Sequence, residues 1–234
     1  MTVPTAEALP PRHCSLCPRL AGFREAQGRA HPDWFNGPVP PFGDSRAELL
    51  IVGLAPGLRG ANRTGRPFTG DHAGGLLYST LCKYGFAEGN YGADPEDGLV
   101  LQRARITNAV RCVPPQNKPE PREIANCRRF LAAEITAMPQ LRAILALGAV
   151  AHQAVLTALG LRRALLPFEH GRLHGLPGGL TLADSYHCSR LNTNTGKLSP
   201  AMFEAVFAKL RSCLDAPPGA GASPGGGADL AVRP

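Results

Sequence analysis

Between residues 53 and 71 the chain reads GLAPGLRGANRTGRPFTGD, a stretch that gathers polar donors and closes on a carboxylate. Five glycines and two prolines among its nineteen residues let the backbone approach a ligand closely, while Asn62, Arg63, Thr64, Arg66 and Thr69 offer donors suited to phosphate or base edges. The cysteines form a second reactive set. Cys14 and Cys17 make a C-x2-C pair, and Cys112 and Cys127 stand with fourteen residues between them. Four thiolates suit tetrahedral zinc or an iron–sulfur cluster. The wide 112/127 interval fits the two close pairs of a structural zinc site poorly and favours a cluster, with zinc or no metal still open. Cys82 and Cys213 fall in expected helices among apolar neighbours and read as core filler, as does Cys188.

The elements around these residues must bring them together. Glu48–Gly53 contains the apolar run Leu49-Leu50-Ile51-Val52 and reads as a buried parallel strand, while Leu76, Leu77, Tyr78 and Leu81 recur at helical spacing. The 53–71 stretch is thus a strand-to-helix loop, where open α/β sheets bind ligands. Further strands are expected at Ala104–Val110, Arg142–Leu147 and Leu180–Ser185, with helices at Pro121–Met138, Ala149–Leu159 and Pro200–Leu214, the last N-capped by Ser199. Asp33–Phe42 reads as an irregular lead-in to the first strand and 88–103 as a polar surface excursion. Right-handed crossovers between four such strands build a parallel sheet covered on both faces. Its carboxyl edge collects the 53–71 loop, Asn108, Gly148 with His152 near it, and Tyr186-His187.

At 234 residues one domain is expected, spanning 13–214, with a flexible N-terminus over 1–12 and a disordered Gly/Pro/Ala tail over 215–234. Lys and Arg number 25 against 18 Asp and Glu, a net charge of +7 that favours a polyanionic partner. No apolar run approaches the ~20 residues of a membrane span, and the N-terminus lacks a basic-then-apolar signal pattern. A cytoplasmic protein is expected, where cysteines serve metals more than disulfides. Nothing in the pattern suggests an oligomer, so a monomer is expected.

Four motifs in order resemble the uracil-DNA glycosylase superfamily, and within it the iron–sulfur branch called family 5 or type b. They are GLAPG at 53–57, GANRTGRPFTGD at 60–71, TNAVRCVPPQNKP at 107–119 and SYHCSRLNTNTG at 185–196. The likeness covers roughly residues 13–214. It implies an α/β fold, a three-layer α/β/α sandwich with a four-stranded parallel sheet, and a structural [4Fe–4S] cluster on Cys14, Cys17, Cys112 and Cys127. The implied activity is hydrolysis of the N-glycosidic bond of uracil in DNA, with deaminated purines such as hypoxanthine as further substrates. Such an enzyme must flip the nucleotide out of the duplex.

The resemblance also implies roles. Phe68 is the platform for the base, Asn108 reads its edge, and Gly53, Ala55, Pro56 and Gly57 line the pocket. His187 donates to the base as negative charge develops, Asp71 stabilises the sugar cation or orients water, and Asn117 assists catalysis. Ser189, Arg190 and Asn192 lie on the loop that enters the duplex, and Arg63 and Arg66 are expected phosphate contacts. The chain departs from most of the superfamily at Leu54-Ala55, where a polar side chain elsewhere aligns the water. Against these roles stand plainer ones: Asp71 as a helix N-cap, Phe68 as a core plug, Asn117 as a turn residue. Two other readings are a non-catalytic sensor of deaminated bases and a zinc-stapled nucleic-acid-binding module.

Overall fold

The computed structural model describes residues 9–217. Its central sheet has five strands, β1 (Leu49–Gly53), β2 (Ala104–Asn108), β3 (Ala143–Leu147), β4 (Leu173–Gly175) and β5 (Thr181–Ser185), in the order β2-β1-β3-β5-β4. Four are parallel, as expected; the fifth, β4, runs antiparallel to β5 and corrects the expected four-stranded sheet. Only three residues long and ending at Gly175 before a Pro177–Gly179 turn, β4 carries no apolar run to betray it.

The strands β1, β2 and β3 are buried on both faces, which is why β1 and β3 read as continuous apolar runs, while β2 buries Arg105, Thr107 and Asn108 among its apolar residues. The two-residue period still divides them. Leu49, Ile51, Ala143 and Leu145 face one helical layer, formed by α2 (His72–Lys83) and α6 (Pro200–Asp215) through Leu77, Leu81, Phe203 and Phe207. Leu50, Val52, Ile144 and Leu182 face the other, formed by α3 (Pro121–Thr136) and α4 (Ala149–Ala158) through Leu131, Ala151 and Val155. The result is the expected α/β/α sandwich.

Two further helices complete the site's supports: α1 (Pro18–Ala30), with proline in its first turn, and the short α5 (Arg190–Asn194) after β5. A capping box between Glu120 and Glu123 starts α3. Arg19 of α1 grips Glu123 through Nε and Nη2 at 2.8 and 2.7 Å, so α1 is tied to the head of α3.

Residues 88–103 are more than a surface excursion. They hold one strand and the last residue of the other in a small ribbon, Ala87–Glu88 with Val100–Leu101, and deliver Tyr91, Asp97 and buried Leu99 against the 53–71 loop. Asp33–Phe42 is irregular as expected, and Phe42 bridges Ile106 at the sheet edge. Of the segments expected to be loose, 1–8 and 218–234 lie outside the described residues. Within them, Arg12 rests over the Phe35 ring at 4.3 Å and Asp215 closes α6.

Candidate active site

The site begins where β1 ends. Gly53 stands in register with Asn108, and a Cβ on it would come within 2.6 Å of Phe68 Cζ and closer still to Asn108 Oδ1. Glycine is thus what lets an aromatic ring and an amide meet at one strand end. Phe68 is only 5 % exposed and holds φ +54°, a conformation uncommon outside glycine. Two tyrosines pin it there. Tyr91 Oη donates to the Phe68 carbonyl at 3.0 Å and Tyr78 Oη to the Pro67 carbonyl at 2.6 Å, their rings stacked 4.6 Å apart. The Phe68 ring lies 5.7 Å from that of His187, the two inclined by 29°.

His187 follows β5 and is half-buried, its Nδ1 fully covered and without a hydrogen-bond partner. Burial lowers its pKa to about 4, so the ring is neutral at pH 7 and still able to donate. Asn108 is buried, and its side-chain amide makes no hydrogen bond to the described residues. An imidazole and an amide left unsatisfied in one recess are groups awaiting a polar ligand.

Asp71 is the helix N-cap that the plainer reading expected, and it keeps one carboxylate oxygen uncommitted. As N-cap of α2 it accepts from Ala73 N and Gly74 N, both through Oδ1, at 3.1 and 3.3 Å. Oδ2 is left free and faces Gly57 and Gly60; a Cβ on Gly57 would stand 3.0 Å from it. Desolvation by burial raises its pKa against the lowering pull of the two amides. A carboxylate partly stripped of water and half-committed is suited to stabilising a nearby cation.

The remaining expected residues divide. Pro56 is buried and Gly57 carries the turn into Asn62, whose amide donates to the Gly57 carbonyl at 3.1 Å. Half-buried Ala55 packs against the cysteine cluster. Arg63 is exposed and free to meet a phosphate, its Nε on the Arg59 carbonyl at 3.0 Å. Arg66 is not: it is buried, bidentate on Asp97 at 2.8 and 2.7 Å, with Nε on Thr69 Oγ1 at 2.7 Å. It clamps the loop from inside, which corrects its expected DNA contact. Asn117 lies exposed in a one-turn helix at φ +58°, its side chain making no hydrogen bond within the described residues.

Ser189 caps α5 by accepting from Asn192 N at 3.4 Å, and Arg190 is exposed. Asn192 turns inward, Nδ2 donating to the His187 carbonyl at 2.8 Å, and so braces the histidine. Between them stands Leu191, 72 % exposed, the most exposed large apolar side chain among the described residues. Sequence reasoning passed over it, because a leucine is flagged only when its burial is known.

Cys14, Cys17, Cys112 and Cys127 converge on one apolar recess with Leu20, Val110 and Phe130. Arg111 N donates to Cys127 Sγ at 3.3 Å and Asn126 Nδ2 to Cys17 Sγ at 3.6 Å, as amides do towards ligating sulfur. Burial pushes the Cys112 thiol up to about 12, and of the surrounding charges Arg24 acts most strongly in the opposite sense. Cys188 is buried in the core as filler.

One other set of ligand-type atoms lies close together. His152, His174 and Asp184 bring their atoms within 4.8 Å of one another. Asp184 binds His152 Nδ1 at 2.7 Å and His174 Nε2 at 2.9 Å, while His152 Nε2 meets the Leu166 carbonyl at 2.8 Å. Both His152 nitrogens face acceptors, so this is a saturated network under β5, and His152 belongs to it rather than to the recess.

A sandwich with an aromatic ring, an amide and a neutral imidazole gathered at its strand ends defines an α/β protein whose recess suits a flat polar ligand. The chain belongs to the uracil DNA glycosylase superfamily, whose family model matches residues 40–211. It is 46 % identical over 200 residues to the Type-5 uracil-DNA glycosylase of Thermus thermophilus, covering 83 % of this chain and 90 % of that one. Against the Type-5 uracil-DNA glycosylase of Mycobacterium tuberculosis identity is 43 %, covering 83 % and 75 %. A Type-4 uracil-DNA glycosylase of Archaeoglobus fulgidus is more distant, 31 % identical over 58 % of this chain and 61 % of its own.

Proposed function

We propose that this protein is a monofunctional uracil-DNA glycosylase of the type-5 branch, which flips a deaminated base into the recess and hydrolyses its N-glycosidic bond. The observation that carries the reading is the crowding of Phe68 and Asn108 around Gly53 with His187 beyond the ring. That slot suits a flat base with a polar edge. Phe68 stacks on the base, and Asn108 addresses its N–H–C=O edge, which uracil shares with hypoxanthine; the reading therefore extends to deaminated purines. Cleavage leaves an oxocarbenium-like sugar and a base anion. Neutral His187 donates to the anion, and Asp71 Oδ2 stabilises the cation until water adds at the anomeric carbon. Leu54 and Ala55 have no side chain that could order that water, so the task falls to Asp71, with Asn117 beside it only if the 115–117 turn closes on DNA. Leu191, flanked by Ser189 and Arg190, fills the gap left in the stack, as apolar wedges do.

The four cysteines fit a [4Fe–4S] cluster better than one zinc. No three of their sulfurs lie within 4.8 Å of one another, whereas zinc–sulfur bonds of ~2.3 Å hold four thiolates closer than that. The cluster would be held by Cys14, Cys17, Cys112 and Cys127 and would supply cross-linking of α1 to α3, with no part in the bond cleavage. Among the described residues no helix is long and apolar enough to cross a membrane.

The test is excision from uracil- and hypoxanthine-containing duplexes, read as alkali-labile abasic sites, by brown, anaerobically purified protein. Abasic sites lacking a strand nick before alkali support the reading. Tight binding to the same duplexes with no excision would sink it in favour of a sensor.

A further inference from the structure

Four arginines are buried among the described residues: Arg24, Arg66, Arg105 and Arg111. Three have a carboxylate. Arg66 pairs with Asp97, and Arg105 and Arg111 share Glu134. Arg24 has none. Its guanidinium donates to the carbonyls of Arg12 at 3.0 Å and Cys14 at 2.7 Å, and its Nε is covered without a partner. Its neighbour Glu25 is exposed and forms no ion pair with it.

A buried cation without a counter-charge is among the costliest things a fold can hold, since carbonyl dipoles replace only part of its hydration. Arg24 stands one helical turn after Leu20 on the same face of α1, and Leu20 lines the cysteine recess. It also holds the carbonyl of one of the four cysteines. The missing anion is next door: four thiolates around an iron–sulfur core carry net negative charge.

We propose that Arg24 is the counter-cation of the cluster, a positioning residue that balances the charge of the loaded cage and fastens the Cys14 loop to α1. This rests on the cluster reading of the cysteines. Loading and the seating of α1 are then coupled, because the charge Arg24 buries is compensated only when the cage is filled. Arg111 also lines the recess and acts on Cys127, but Glu134, which it shares with Arg105, offsets part of its charge, whereas Arg24 has no carboxylate among the described residues.

The experiment compares wild-type holoprotein with Arg24→Met, Arg24→Gln and Arg24→Lys, by redox titration of the cluster and by the rate of bleaching in an iron chelator. Removing a nearby positive charge disfavours the added electron, so Met and Gln should shift the midpoint potential negative, and Lys should stay near wild type. Bleaching should quicken about tenfold in Met and Gln, the lower end of what outer-shell changes do to metal retention. Gln keeps a donor for the Cys14 carbonyl, so it separates charge from hydrogen bonding and serves if Met does not fold. An unchanged potential in Gln, or a shift in Lys as large as in Gln, would overturn the proposal. Wild-type protein without iron would instead remove the cluster reading on which it rests.

Discussion

Asp71 and Gly57 face each other across the strand-to-helix loop, so closely that a Cβ on Gly57 would stand 3.0 Å from Asp71 Oδ2. The carboxylate splits its duties, Oδ1 to the α2 amides and Oδ2 to the open side. Asparagine caps a helix as well as aspartate does. Asp71→Asn should therefore leave the melting temperature near wild type while turnover falls by about a hundredfold or more. Asp71→Ala should lose the same turnover and about 1 kcal/mol of stability besides. Turnover of Asp71→Asn within a few-fold of wild type would reduce Asp71 to a cap.

Leu191 projects into solvent from a capped helix whose next residue, Asn192, braces His187. If it fills the gap beneath a flipped base, its loss matters only where a stack must be held open. Leu191→Ala should slow excision from duplex DNA about tenfold and leave single-stranded substrate nearly unaffected. Equal losses on both substrates would assign it another task.

Arg63 and Arg66 look alike in the sequence and differ in burial. Arg63→Ala should weaken DNA binding and flatten its salt dependence by about one phosphate contact, with unchanged stability. Arg66→Ala strands Asp97, whose carboxyl the guanidinium holds well below the ordinary carboxylate range. It should cost about 3–5 kcal/mol of folding stability. The checks are binding isotherms at several salt concentrations and urea melts.

The strands β1 and β3 and the cysteine set were legible because each is written locally, as an apolar run or a thiol at a suggestive spacing. What the sequence hid depends on partners far along the chain. Arg66 looks like a phosphate ligand until Asp97, thirty-one residues later, takes its guanidinium. The role of Tyr91 in holding Phe68 at positive φ, and of Asn192 in bracing His187, likewise exists only after folding. Leu191 and β4 were missed for the opposite reason, being too short or too ordinary to mark themselves.

His187 and His152 titrate in opposite senses, and stability against pH should report both. Burial lowers the pKa of His187 from 6.5 to about 4, so between these values the unfolded chain binds the proton and the folded one does not. Stability is then fully present above pH 6.5 and falls as the pH drops towards 4, by on the order of 2 kcal/mol. The raised Asp71 carboxyl works against this fall, because the folded state holds its proton more tightly than the unfolded one. For His152, burial pulls the pKa down, but the hydrogen bond and charge of Asp184 and the Leu166 carbonyl together raise it. Its contribution is complete below 6.5 and is lost as the pH rises through the raised value. Thermal melts across this range should therefore show a maximum near neutrality. His187→Asn should flatten the acid limb, and His152→Gln should remove the alkaline fall while lowering stability at pH 6, since Asp184 then loses a charged donor. An acid limb unchanged in His187→Asn would mean that His187 is more solvated than its covered Nδ1 implies, and the neutral donor assigned to base cleavage would lose its physical basis.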